Sequence, residues 1–255
     1  MANKKNKVKF NIRNVHYAKL TISDDGAVSF AAPVAMPGAV SLSLDPNGEP
    51  STFYADGYAY YTISNNMGYE GDLELAMVPE SFRTDILKET LDDNKVLVED
   101  ASAQGEKFAL LFEFDGDVKK IRHVLYSCTA SRPGIESATN EDEIEVKTET
   151  LSIKASPLQG GYVKAKTSDD TDTPYYNNWF NKVYIPGETL IYEVRFLNNA
   201  GDDVLKTVNI EVGGDATSLA PTPEVIEGMR FVSWNQDITN VTQDMTVRPV
   251  YEEDN

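Results

Sequence analysis

Apolar and polar residues alternate with a period of two along most of this chain, the pattern of strands that bury one face and wet the other. The segment "AKLTISDDGAVSF" predicts a hairpin that turns at Asp24-Asp25-Gly26, residues that tolerate positive φ. In "AVSLSLDPNGEPSTFYADGYAYYTIS", Val40, Leu42 and Leu44 are expected on one face, with Ser41 and Ser43 on the other. Asp45-Pro46-Asn47-Gly48 then predicts a tight turn, since proline presets φ and glycine is free of steric cost. "KFALLFEFDGDVKKIRHVLYSCTA" predicts a second hairpin, turning at Asp115-Gly116, with Phe108, Leu110, Phe112 and Phe114 on a core-facing side.

One stretch changes period. In "VPESFRTDILKETL", residues 78–91, Phe82, Ile86 and Thr90 follow at i, i+4 and i+8, with Leu87 and Leu91 beside them. Pro79 suits a first helical position, where its missing N–H is no loss. This predicts an amphipathic helix lying on a sheet. Later, the polar "KTSDDTDTPYYNN" and the turn signal Pro186-Gly187 mark a break, placed at residue 188. Beyond it run four more strand patterns, in "LIYEVRFLNN", "DVLKTVNIEV", "MRFVSW" and "MTVRPVYEE". The expected organisation is a mainly β domain over 1–188 and a small β-rich domain over 189–255.

Charge narrows the function classes. The 255 residues carry a formal net charge of -18, which repels nucleic-acid phosphates and argues against tight DNA or RNA binding. The first twenty residues run the other way, with Lys4, Lys5, Lys7, Lys9, Arg13 and Lys19 and no acid. They are either a solvated, mobile terminus or a basic arm that docks on an acidic neighbouring subunit. A single cysteine, Cys128, excludes an intramolecular disulfide and suits a reducing compartment. No apolar run follows the charged first residues, so no secretory signal is expected, and no stretch approaches the ~20 apolar residues of a membrane helix.

Candidate chemistry is sparse. His123 and Cys128 lie five apart in a predicted strand, an odd offset that would put them on opposite faces and prevent a local dyad. Cys128 is expected to be buried. His16 has no evident partner, and two histidines with one cysteine make no zinc set. Asp169, Asp170 and Asp172 lack the glycine and distant glutamate of a calcium loop and are expected to be a solvated loop. Glu143 and Glu145 share a strand face beside Glu141 and Asp142, as at an exposed edge or charged interface. No phosphate-binding glycine loop, GxSxG or HExxH occurs. Neither an enzymatic activity nor a cofactor is expected.

The aromatics are denser than the chemistry. Phe53, Tyr54, Tyr58, Tyr60, Tyr61 and Tyr69 crowd one segment, either as half-buried strand residues or as a protein–protein surface. Separately, "RHVLYSC", "RPGIESATNEDEIEVKTETLSIKASP" and "YYNNWFNKVYIPGE" follow in an order that resembles the major tail, or tail tube, proteins of long-tailed phages of Gram-positive bacteria. The resemblance covers about residues 5–188. It runs from an early "GA" turn, through the Pro79–Leu91 segment and "VLYSCTASRPGIES", to Trp179-Phe180.

That resemblance implies a tail-tube β-sandwich with one flanking α-helix, built into hexameric rings that stack as a hollow tube. The implied partners are further copies of the chain, a tape-measure protein, tail terminator and distal tail proteins, and double-stranded DNA in transit without specific binding. No membrane is implied, and the implied location is the virion tail after assembly in the host cytoplasm. The expected self-assembly residues are Lys4, Lys5, Lys7, Lys9, Tyr54, Tyr58, Arg132, Glu136 and Asp142.

The final segment is similar to the internalin-type B repeat, a small β-grasp-like module. The similarity is carried by Gly201, Gly213, Pro221, Pro223, Gly228, Phe231, Trp234, Val241, Thr242, Asp244, Thr246, Val247 and Tyr251, with Ser233 where a glycine is usual. Phe231, Trp234, Val247 and Tyr251 are its expected core, and its expected place is the exterior of the tube. The alternative is a phage or bacterial surface adhesin that binds cell-wall carbohydrate.

Overall fold

The alternating runs form strands. In order they are β1 (Lys9–Ile22), β2 (Val28–Phe30), β3 (Val34–Ala35), β4 (Ala39–Asn47), β5 (Ser51–Ala55), β6 (Tyr58–Ile63) and β7 (Gly68–Leu75). A short helix, α1 (Glu80–Phe82), continues as a π-turn at Arg83–Leu87. Then come β8 (Thr90–Leu91), β9 (Leu97–Val98), β10 (Phe108–Gly116), β11 (Ile121–Ala130), β12 (Glu149–Ser156) and β13 (Lys164–Lys166). After α2 (Thr173–Asn177) follow β14 (Ile191–Leu197), β15 (Val204–Glu211), β16 (Met229–Trp234), β17 (Met245–Val247) and β18 (Pro249–Glu253). This computed structural model describes residues 5–137, 139 and 146–254. The chain is mainly β and divides into two compact units. The first holds the residues up to Thr171 together with Asn178–Tyr184, and the second holds Asp172–Asn177 and everything from Ile185.

Unit 1 is organised by one antiparallel sheet in the order β2-β1-β10-β11-β12-β7-β4, with β3 on β1 and β13 on β11. Both faces are covered, which is why β10 is buried almost throughout. Phe108, Leu110 and Phe112 pack on one face with Tyr17, Leu73, Leu151 and the helical residues Phe82 and Ile86. The interleaved Ala109 and Leu111 pack on the other with Leu20, Tyr126, Trp179 and Val183. The period of two therefore separates two cores rather than core from solvent. Phe82 makes edge contacts with Tyr17 at 5.2 Å and Phe108 at 5.3 Å. The Tyr17 hydroxyl donates to Asp85 Oδ2 at 2.7 Å, tying the helical turn to the sheet.

Within the apolar run of β10 sits one acid, Glu113, fully buried. It accepts hydrogen bonds from Lys120 Nζ at 2.6 Å, Arg122 Nε at 3.2 Å and Asn14 Nδ2 at 2.8 Å. Two cations and an amide saturate a carboxylate that would otherwise be costly to desolvate.

Several expectations about the elements of unit 1 need correction. The helix over 78–91 is only two turns. Lys88 takes φ 64, and the Glu89 N–H bonds back to Arg83 O, which stops the helix. Thr90 and Leu91 pair instead with Val98 and Leu97. Asp45-Pro46-Asn47-Gly48 is not a tight turn, because β4 runs on through Pro46 and Asn47, opposite Tyr69 and Gly68. A register shift between Ala39 and Ser41 turns Val40 outward, so Ala39, not Val40, joins Leu42 and Leu44 against the core. The β10–β11 turn lies beyond Asp115-Gly116, since those two residues still pair with Phe10 and Lys9 of β1.

Unit 2 has its own core. β14 lies between β15, antiparallel, and β17, parallel, while β16 and β18 form a separate antiparallel pair. Tyr192, Val194, Phe196, Ile210, Ile238, Val241 and Val247 fill it, with Tyr175 of α2 packed against it. The sequence places the break at 188; the chain makes its last passage from unit 1 to unit 2 after Tyr184, and α2 goes with unit 2.

Candidate assembly surface

The β5–β6 hairpin is built by its turn. Asp56 and Gly57 take φ 53 and 82, the two positive values of a type I′ turn, which matches strand twist. Across it Phe53 pairs with Tyr61, Tyr54 with Ala59 and Ala55 with Tyr58. Every residue of β6 is exposed. Phe53 is 62% exposed, Tyr54 67%, Tyr58 77% and Tyr60 72%. A two-stranded ribbon with aromatics left in water is marginal alone and offers a surface that gains by being covered. The ribbon follows from β4, the last strand of the sheet order, which pairs only with β7 among the described residues.

The basic arm is fastened rather than loose from Asn6 onward. Asn6 Nδ2 donates to Lys119 O at 2.7 Å and Asp169 Oδ1 at 3.0 Å. Asn6 Oδ1 accepts from the N–H groups of Val118 at 2.8 Å and Lys119 at 3.0 Å. The Lys7 N–H donates to Asp117 Oδ1 at 2.8 Å. Asp169, expected as part of a solvated loop, thus helps to clamp the arm. Lys5, Lys7 and Lys9 remain exposed, and Lys9 Nζ lies 4.8 Å over the Phe114 ring. Lys4 and Asp142, with Glu141, Glu143 and Glu145, lie outside the described residues. Arg132 is exposed and paired with Glu99, and Glu136 is exposed in the segment after it. These sites have separate neighbours: the arm keeps to the β10–β11 turn, Tyr54 and Tyr58 to the hairpin, and Arg132 to Glu99.

The expected core of the second unit divides. Val247 is fully buried. Trp234 is half-buried, edge-on to Phe196 at 4.7 Å. Phe231 and Tyr251 lie farther out, in a chain of ring contacts at 5.6 and 6.0 Å, and Phe231 is 37% exposed. The register shift between Phe231 and Ser233 sets Phe231 beside Trp234 although they are three apart.

A bulge also overturns the opposite-face expectation for His123 and Cys128. Leu110 pairs with Leu125 but Phe108 with Cys128, so β11 carries one extra residue and Cys128 joins Leu125 in the same core. His123 stacks flat on Phe112 of that core at 5.0 Å. Burial pushes the Cys128 thiol up to about 12, and its Sγ donates to Leu125 O at 3.7 Å. Burial first, then Lys166, Lys9 and Lys164, brings His123 down to about 4. A neutral thiol of this kind is a poor nucleophile at pH 7.

Among the described residues no group of three or more His, Cys, Asp or Glu comes together as a metal set, and no helix is long and apolar enough to cross a membrane. Sequence reading missed the Asn6 clamp and the Glu113 cluster. The second had a signal, since one acid within an apolar strand stands opposite Arg122 across the hairpin. No known protein family matches the chain, and neither does any characterised protein.

Proposed function

We propose that this chain is a structural virion protein whose copies assemble into stacked hexameric rings, the tail tube of a long-tailed phage. Unit 1 would be a tail-tube β-sandwich with its helical turn as flank, and unit 2 a β-grasp-like module on the exterior. The observation that carries the reading is the β5–β6 ribbon, with its exposed Phe53, Tyr54, Tyr58 and Tyr60, which follows β4, a strand that pairs only with β7 among the described residues. Tyrosine-rich, rigid and uncovered, it suits burial by a neighbouring subunit. A head-to-tail contact that closes by rotation gives a ring. The charge of -18 also suits a conduit through which DNA slides without sticking.

Negative-stain electron microscopy over a range of protein and salt concentration tests this. The wild-type chain is expected to give hollow tubes or six-fold rings, and a Tyr54→Ser, Tyr58→Ser, Tyr60→Ser variant only small particles with unchanged unfolding. Equal assembly by the variant would remove the hairpin from the interface. Small wild-type particles at every condition would favour the second reading, an adhesin. That reading is supported by an open groove of about 690 Å³ in unit 2, lined by Pro221, Pro223, Phe231, Trp234 and Asp237, and glycan binding to the full chain would test it.

A further inference from the structure

Unit 1 contains a cavity of about 270 Å³ bordered by β4, β7, β10 and β11. Its wall is ring-rich, with Phe112, Phe114, Tyr69 and His123. His123 lies flat against Phe112 at 5.0 Å and edge-on to Phe114 at 5.3 Å. Its Nε2 is buried and has no hydrogen-bond partner. Buried polar atoms rarely stay unpaired, so a nitrogen of this kind marks a missing partner. Two ammonium groups flank the same wall. Lys9 Nζ sits 4.8 Å over Phe114, and Lys164 Nζ sits 4.2 Å over Tyr69 and donates to its hydroxyl. In a chain with 41 acidic residues, none of the side chains lining this cavity is acidic.

We propose that this cavity is a binding site for a carboxylate carried on an aromatic or branched apolar stem. The stem fills the ring-lined wall, and the carboxylate is held by Lys9 and Lys164 and accepts a hydrogen bond from His123 Nε2. A charge-assisted bond of this type is about twice as strong as a neutral one. A phosphate fits less well, because it would leave the apolar wall unfilled. The carboxylate comes either from a free organic acid or from an acidic side chain of a second copy, with a neighbouring apolar residue of that copy as the stem. The site is argued from unit 1 alone and does not depend on ring formation.

The test is NMR of the imidazole nitrogens in the ¹⁵N-labelled, dispersed full-length chain, titrated with phenylacetate and, separately, phenylacetamide at constant ionic strength. His16, the other histidine, is the internal control. The expected result is a saturable shift at His123 and not at His16, with the His123 midpoint raised by about one pH unit or more at saturation. The amide is expected to bind about tenfold more weakly or worse, as is phenylacetate to a Lys9→Glu, Lys164→Glu variant. These lysines are exposed, and unfolding followed at Trp179 checks that the variant is folded. No saturable response at His123, an equal response to the amide, or an unchanged response in the variant would overturn the proposal. Dilution without ligand separates the sources. A His123 signal that moves with protein concentration, and is restored by phenylacetate, assigns the carboxylate to a second copy, whereas one that does not move assigns it to a small molecule.

Discussion

Glu113 and His123 stand on neighbouring strands, Glu113 opposite Arg122 and His123 opposite Phe112. Glu113 has no exposure, yet three donors reach it, so its removal takes an anion from Arg122, only 16% exposed, and leaves Lys120 with Asp115 at 3.9 Å. Glu113→Ala is expected to lower the stability of unit 1 by about 2–4 kcal/mol, short of a fully buried pair because Lys120 is partly solvated. Urea unfolding measures this, and a change below about 0.5 kcal/mol would mean that the cluster is incidental. For His123 the sign is opposite to that of a paired histidine. Its folded value of about 4 lies below the ordinary histidine value of 6.5, so the unfolded chain takes up the proton first as pH falls. The contribution of the neutral ring is full above pH 6.5, is lost as pH falls towards 4, and is flat below. The loss is at most about 3 kcal/mol, less whatever solvent reaches the ring. His123→Phe, which keeps the stack on Phe112, should remove this component of the decline between pH 7 and 4.5. Parallel declines in variant and wild type would contradict it.

Strand elements depend on where side chains are absent as much as on where they pack. At Gly68, φ is 105 and an added Cβ would lie 1.8 Å from Ala155 O, in the backbone of the neighbouring β12. Gly68→Ala must therefore open the β7–β12 ladder or move the chain that links the β5–β6 ribbon to the sheet. A loss of about 2 kcal/mol or more in the unfolding of unit 1 is expected, and a neutral effect would show that this junction yields freely. Such close approaches were not legible in the sequence, because they depend on which strand lies alongside. What was legible is the period: the β1–β2 hairpin turns at Asp24-Asp25-Gly26 and pairs Leu20 with Phe30 and Ile22 with Val28. The failures share one physical origin. Bulges at Val40 and in β11 break the alternation, and a periodicity count over one strand cannot see them, because they are set by the partner strand. The helix at 78–91 failed differently. Its apolar spacing is helical, but Thr90 and Leu91 find a strand partner at 97–98, and that pairing decides. Of the candidate surface, the tyrosine cluster was visible as composition, while its exposure was not, since strand aromatics are half-buried as often as they are presented.

At the scale of the whole chain, the buried side chains form three clusters, two in unit 1 and one in unit 2. Trp179 belongs to the core of unit 1 and Trp234 packs on the core of unit 2, so the two tryptophans report one unit each. The chain does not pass from one unit to the other through a simple linker. Asp172–Asn177 belongs to the second, Asn178–Tyr184 returns to the first, and Ile185 onward belongs to the second again. A cut at 188 would therefore remove α2, and with it the packing of Tyr175, from the core it supports. Separate cores predict separable unfolding. In the single-tryptophan variants Trp234→Phe and Trp179→Phe, urea titration should give two distinct midpoints, the first reporting unit 1 and the second unit 2. Adding Gly68→Ala should lower the midpoint seen by Trp179 and leave that seen by Trp234 within error, because Gly68 meets only backbone of unit 1. If both midpoints fall together, the shared crossing at 172–185 couples the units into one cooperative structure. Ring assembly and any exterior role of unit 2 would then have to be tested on the intact chain alone.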